Sequence, residues 1–379
     1  MFFLIVLLLT VLLVVLDKYD VPSDAKNGIS NLFQKKTVKI NFCDTTSSLV
    51  RYNELGYQWE KVTCNANFSP RDGAGALVFN DTMWLIGGWN PYDNANFPKI
   101  CSNDVWKSEN GVIWQLVKAN TFGTSSFDSV NDWEGRHGAG FLTYNGKMWI
   151  IGGDFNQGHY QNDIWNSVDG KNWTKVLDKA PWSPRVFYTT AVFNDKMWVF
   201  GGQTTDDVDD YKQQYFADAW STENGVEWEH HLASNNHWLP RGLIVGHAVF
   251  QNKLWMLGGA TASTQKRIVK NYYNDVWSTD NGNTWQCEVL QAPWEQRCYQ
   301  NVAVWDNKLW VIGGGNGQFN EAWNRNDVWY SKNGLDWEEL PNTPWESRHA
   351  SGVFVYKNAL WLVGGNNMAA DVWRLVKIN

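Results

Sequence analysis

Six arginines, Arg71, Arg136, Arg185, Arg241, Arg297 and Arg348, recur along the chain, and five follow a tryptophan by three residues: Trp133, Trp182, Trp238, Trp294 and Trp345. Phe68 takes that place before the first. A guanidinium backed by an aromatic ring can hold a carboxylate through two parallel hydrogen bonds. The set is therefore a candidate ligand-binding ring for an acidic peptide or sugar. The same spacing also suits an internal staple, in which each arginine bonds backbone carbonyls or an aspartate while its tryptophan packs. Strict recurrence favours the staple, because a binding site seldom needs every repeat alike.

Other chemistry-bearing residues fall into the same repetition or stand alone. Asp104, Asp163, Asp218, Asp275, Asp327 and Asp371 each precede a tryptophan by two residues, which makes them structural acids rather than catalytic ones. The seven histidines are scattered, with no HExxH pattern and no paired Cys and His spacing. Cys298 beside Tyr299 invites comparison with a copper-linked thioether, but neighbours on a strand point to opposite faces. The acidic run Asp206, Asp207, Asp209, Asp210 suits a solvated loop better than a Ca²⁺ site. No catalytic residue, metal or cofactor is expected. The net charge of −7 argues against a nucleic-acid partner, which usually leaves a basic face.

The elements that position these residues are short strands. Lys308 to Gly314 reads Lys, Leu, Trp, Val, Ile, Gly, Gly, and the run closes likewise on Gly87–Gly88, Gly152–Gly153, Gly201–Gly202, Gly258–Gly259 and Gly364–Gly365. Six copies at spacings of 49 to 65 residues define a repeat of four strands, a to d. Asn-Gly and Asp-Gly pairs such as Asn145–Gly146 and Asn281–Gly282 mark the tight turns. Much of the content of 26 tryptophans is this architecture multiplied. The last copy ends without a strand d, and Gln58 to Val62 resembles the missing piece. That segment is expected to close the ring, leaving no open edge between first and last blades.

An initial arginine, an apolar strand, a Trp-x-x-Gly-Gly strand, Asp-x-Trp and a distal tryptophan together resemble kelch repeats, over residues 58 to 374. The resemblance implies an all-β, six-bladed kelch β-propeller with four antiparallel strands per blade. Ser278, Asp280, Gly282, Thr284 and Trp285 resemble the Asp-box hairpin of sialidase-type propellers, which implies a structural hairpin. Propeller order puts the a–b and c–d turns on one face and the b–c loops and d–a crossovers on the other. The second set is long and varied, including 89–103, 203–217, 260–274, 315–326 and the crossover 119–132. Recognition normally resides on such loops.

Cys64 and Cys101 are expected near that face of the first blade and form the one candidate disulfide. Cys287 and Cys298 belong to outer and inner strands too far apart to pair. The sequons at Asn80 and Asn172, candidate glycosylation sites, fall on the plain face. Residues 2 to 16 are apolar except for Thr10, and a helix there would be about 22 Å long, short of a hydrocarbon core of roughly 30 Å. The expected organisation is a signal anchor or signal peptide over 1–16, a tether over 17–55 and the propeller over 56–379. The propeller then lies on the non-cytoplasmic side of a single-pass membrane protein, or is secreted. The expected activity is binding of a protein or carbohydrate ligand on the loop face, without catalysis. A carbohydrate-active enzyme of sialidase-like or galactose-oxidase-like type, and a structural part of a larger assembly, are the alternatives.

Overall fold

Tight turns set the register of every blade. Asn80–Asp81, Asn194–Asp195, Gln251–Asn252, Asp306–Asn307 and Lys357–Asn358 all hold φ between 46° and 60°, the paired left-handed geometry whose twist matches a two-residue hairpin. A computed structural model describes residues 50–52, 55–93, 99–153, 159–204, 212–232, 237–242, 246–263, 268–316 and 323–378.

In chain order, β1 (Val50–Tyr52) and β2 (Tyr57–Thr63) come before the first blade, which is β3 (Gly75–Val78), β4 (Met83–Ile86), β5 (Val105–Ser108) and β6 (Gln115–Lys118). The second blade is β7 (Gly140–Tyr144), β8 (Lys147–Ile151), β9 (Ile164–Ser167) and β10 (Thr174–Leu177). The third is β11 (Thr189–Phe193), β12 (Lys196–Phe200), β13 (Ala219–Thr222) and β14 (Glu229–His231). The fourth is β15 (Gly246–Phe250), β16 (Lys253–Ser263), β17 (Ile268–Thr279) and β18 (Gln286–Val289). The fifth is β19 (Asn301–Trp305), β20 (Lys308–Ile312), β21 (Val328–Ser331) and β22 (Glu338–Leu340). The closing blade is β23 (Gly352–Tyr356), β24 (Ala359–Val363) and β25 (Val372–Lys377), completed by β2.

The first five blades are four-stranded antiparallel sheets, and the sixth runs β23-β24-β25-β2-β1. Tyr57 pairs with Lys377 and Thr63 with Val372, with a bulge between Lys61 and Thr63. The expected closure is therefore present. One further strand was not expected: β1 lies at the end of the segment assigned to a tether and pairs Val50 with Trp59.

The core sits between blades. Leu77, Trp84 and Ile86 of the first blade pack with Trp133, Met148 and Trp165 of the second, and corresponding clusters fill the other interfaces. Each second strand is thus covered on both faces, which explains why Met148 to Ile151 and Ala359 to Val363 are buried without alternation. The outermost strands keep one face in water, as in Glu229–His231.

Two expectations change here. The stretch 260–274, read as a loop, continues β16 and β17 as a paired ribbon as far as Ser263 opposite Ile268, with shifts of register after Leu257 and Thr261. The N-terminal hydrophobic helix and the single-pass membrane placement are corrected as well. No helix among the described residues is long and apolar enough to cross a membrane, and segment 2–16 lies outside the described residues.

Candidate functional site: the loop face

The arginine after each crossover turns into its own blade. The two terminal nitrogens of Arg71, Arg136, Arg185, Arg241, Arg297 and Arg348 reach both oxygens of Asp104, Asp163, Asp218, Asp275, Asp327 and Asp371 at 2.5–3.3 Å. Nη1 also donates to the carbonyl of the first glycine of the pair at 2.7–3.1 Å. Nε donates to the carbonyl two residues upstream at 2.9–3.2 Å. The tryptophan two residues after each aspartate adds an indole N–H to the same carboxylate, at 2.6–3.0 Å.

This is the geometry of the staple. The six arginines are at most 4% exposed, and a ligand carboxylate would have to displace an aspartate already held by two charge-assisted bonds. Burial alone would raise the Asp104, Asp163, Asp218 and Asp327 carboxyls, yet the facing guanidinium and the indole N–H hold each below the usual carboxylate range. Trp133, Trp182, Trp238, Trp294 and Trp345 are at most 2% exposed, and their indole N–H groups find no acceptor among the described residues. Apolar packing fixes them. In the third and fourth blades a second ring covers the guanidinium, with Phe216 and Tyr273 each 3.7 Å from the arginine carbon.

What faces the axis departs from the repeat. Two residues after the arginine the backbone is left-handed, with φ of 56° at Gly73, 59° at Gly138 and 50° at Ala350. That conformation turns each amide sideways: Gly138 N–H donates to Gly73 O, Gly73 N–H to Ala350 O, and Ala350 N–H to Tyr299 O, at 2.9–3.1 Å. A belt of backbone bonds thereby joins the fifth, closing, first and second blades. Bulky residues occupy the same strained position at Phe187 (φ 57°) and Tyr299 (φ 55°), where glycine is the comfortable choice.

Those two rings meet edge to face across the axis, 5.9 Å apart, although they come from the third and fifth blades. Tyr299 stacks on His349 at 5.1 Å. Trp323 donates its indole N–H to His349 Nδ1 at 3.1 Å and packs near Tyr272. His349 Nδ1 also lies 2.6 Å from the Asn324 amide oxygen, and its Nε2 is 4.0 Å from Asp72. Burial, with repulsion from His137, pushes the His349 pKa down to about 3, so the ring is neutral. An aromatic half-plug thus covers one side of the axial mouth, while Gly73, Gly138 and Ala350 leave the other side low. Sequence reasoning passed over this cluster. Its signal was available, since Phe187 and Tyr299 stand where the first two copies have glycine.

Three further expectations have definite placements. Cys64 is disulfide-bonded, whereas Cys101 is a reduced thiol, so the two are not joined to each other. Asn80 and Asn172 are both exposed on the turn face, where the Asn172 amide donates to Asp169 at 2.8 Å. The acidic run at 206–210 lies outside the described residues. Among the described residues no group of three metal-ligating side chains comes together.

No family model matches the chain. Alpha-scruin of Limulus polyphemus is 22% identical over 303 residues, which cover 76% of this chain and 29% of that protein. Kelch domain-containing protein 2 of Bos taurus is 24% identical over 246 residues, 56% of this chain and 55% of the relative. A leucine-zipper-like transcriptional regulator 1 homolog of Drosophila melanogaster is 26% identical over 184 residues, 46% of this chain and 18% of its own length. The chain thus spans about half or less of these curated relatives. Six blades with one shared staple, closed by an N-terminal strand and similar in sequence to scruins and a kelch domain protein, are consistent with the kelch-repeat family.

Proposed function

We propose that the propeller is a protein-interaction module, without catalysis of its own, that binds a partner protein through the b–c loops and d–a crossovers. The observation that carries this reading is the division of labour between repeated and unrepeated residues. The repeated charges are consumed inside the blades. The unrepeated side chains on the loop face are large, apolar and open to solvent: Leu232, Leu239 and Leu290 are 74, 60 and 75% exposed on neighbouring crossovers, and Trp89 and Trp323 are half-buried beside the axis. Aromatic anchors surrounded by apolar side chains are what interface hot spots are made of. The kelch-type relatives support an interaction role in general terms.

The test is a selection of displayed peptides on the purified propeller, followed by affinity measurements on variants. Leu232→Asp combined with Leu290→Asp should weaken the selected peptides at least about ten-fold, the scale of one hot-spot side chain. Val226→Asp, at a c–d tip on the opposite face, should leave them unchanged. Peptides that ignore the leucine variants and lose binding to Val226→Asp would place recognition on the turn face. Selection of no peptide, with specific retention on a glycan array, would replace a protein partner by a carbohydrate one.

A further inference from the structure

We propose that Cys101 is a reactive thiol activated by His137, an imidazole-assisted nucleophile on the loop face that takes small soft electrophiles and disulfides. Cys101 Sγ lies 3.8 Å from His137 Nδ1, within reach of an S–H···N bond in the Nε2–H tautomer. Trp89 stacks on the imidazole at 5.8 Å and 24°, fixing its plane. Nucleophile, base and an orienting ring are the parts of an activated thiol.

The contact occurs at a seam position that recurs at three other described seams, which separates architecture from chemistry. The residue three before the strand c aspartate meets the residue after the next blade's arginine. Tyr160 packs with Val186 there, Tyr272 with Cys298, and Asn324 with His349. A contact is therefore expected at the first seam. A thiol facing an imidazole is not, and no other described seam has that pair.

Cys101 is 1% exposed and is one of the residues that line a cavity of about 50 Å³, with Asn90, Asp93, Ile100 and Ser102. The other two reduced thiols serve as internal comparators. Cys298 is fully buried, its S–H directed at Gly315 O at 3.6 Å, and burial pushes its pKa well up. Cys287 is half-buried, and burial with the nearby Asp275 and Glu288 charges pushes its thiol up. Cys287 is thus the more accessible thiol and Cys101 the one with a base.

The step balances within the named groups. The Cys101 proton passes to His137 Nδ1 and the thiolate attacks carbon. With iodoacetamide the C–S bond forms, the C–I bond breaks and iodide leaves. With a disulfide the S–S bond breaks, Cys101 is oxidised to the mixed disulfide, and the departing half leaves as a reduced thiolate. Cys101 and Trp89 from the first blade and His349 from the closing blade are among the groups that face His137, and Asp72 lies 4.0 Å from His349. His349 is neutral, so it adds no positive charge that would disfavour the imidazolium.

The experiment is timed iodoacetamide labelling of the full chain, read by mass spectrometry of the Cys101, Cys287 and Cys298 peptides between pH 5.5 and 9.5. At pH 7 Cys101 should be labelled at least about ten-fold faster than either comparator, with its rate midpoint at least about one unit below that of Cys287. His137→Gln should bring Cys101 to the Cys287 rate or below it, with the tryptophan emission of the fold retained. The wild-type pH profile needs no variant and stands even where that substitution fails to fold. Equal or slower labelling of Cys101 than of Cys287 at pH 7, or a Cys101 midpoint no lower than that of Cys287, overturns the proposal. So does an unchanged Cys101 rate in a folded His137→Gln protein.

Discussion

A buried arginine that meets a buried aspartate behaves differently from a surface pair, and the six staples make that difference measurable. Arg136 and Asp163 are the case in point, with the Arg136 side chain fully buried. Removing one partner leaves a charge in low dielectric, so Arg136→Ala should cost about 3–5 kcal/mol by urea unfolding. Arg136→Met together with Asp163→Leu removes both charges and should cost less than either single change. A double variant as unstable as either single would show that loss of the ion pair itself, and not the stranded charge, carries the effect. The carboxylates also set an acid limit. Their folded values are depressed, so their contribution is present above the unfolded value of about 4 and is lost as pH falls through the folded values. His349 acts at milder pH. It stays neutral down to about 3 in the fold but takes a proton near 6.5 when unfolded, so stability falls as pH drops below about 6.5. His349→Gln should flatten the stability curve between pH 6 and 5 by up to about 1.4 kcal/mol per pH unit, one proton's worth. An unchanged slope means that the imidazole protonates in place.

Hairpins between the third and fourth strands are built on two side chains that the sequence shows and one that it hides. Thr279 Oγ1 accepts the Gly282 N–H at 3.0 Å, and Asn281 Oδ1 accepts the next two amides at 2.8 Å; Ser331 with Asn333 and Thr222 with Asn224 repeat the pattern. The Asp-box resemblance rests on Ser278 and Asp280, one residue earlier than the pair that holds the turn, and Ser278 donates to Glu288 at 2.6 Å. The turn was legible because Asn-Gly has one conformational meaning; which hydroxyl reaches it depends on strand alternation, where an offset of one reverses the face. The hidden partner is the neighbouring blade. A Cβ on Gly225 would lie 2.4 Å from the Trp149 ring, and Gly170 and Gly334 meet Trp84 and Trp255 in the same way. Gly225→Ala combines that clash with φ of 78°, and should destabilise by more than the roughly 1 kcal/mol that left-handed strain alone imposes. Asn145–Gly146 provides the control: Gly146 has φ of 67° but nothing within 4 Å of a Cβ. Gly146→Ala should therefore cost clearly less, and equal losses at the two sites would remove the interlocking of blade turns from the account.

Ring closure is where the whole molecule differs from the sum of its blades. Repetition made the blade number and the missing fourth strand readable from residues alone. The half-plug across the axis was not, because Phe187 and Tyr299 are brought together only once six blades have closed. Closure rests on β2, a strand with no covalent turn to β25. In its place the seam has a polar latch: Tyr57 OH donates to Asp306 at 2.6 Å, Lys308 contacts Tyr57 and Asp306, and Lys377 reaches Asp306 at 2.9 Å. Burial would raise the Asp306 carboxyl, but these donors bring it down to about 2, so the latch is fully charged at neutral pH. Trp59 and Trp114 are equivalent strand d tryptophans, 0 and 1% exposed, one in the seam and one in a blade with an intact hairpin. Either change to alanine removes a similar volume and should cost about 3–5 kcal/mol. The consequences should then diverge. Trp114→Ala stays in a covalently continuous blade and should remain a monomer. Trp59→Ala loosens the one strand that can leave without unfolding its neighbours, and release of β2 exposes the β25 edge, a template for pairing with another chain. Sedimentation near the unfolding midpoint should show self-association of Trp59→Ala alone. If both variants associate equally, or neither does, the seam is no weaker than any other blade, and the latch at Asp306 closes the ring as firmly as a turn.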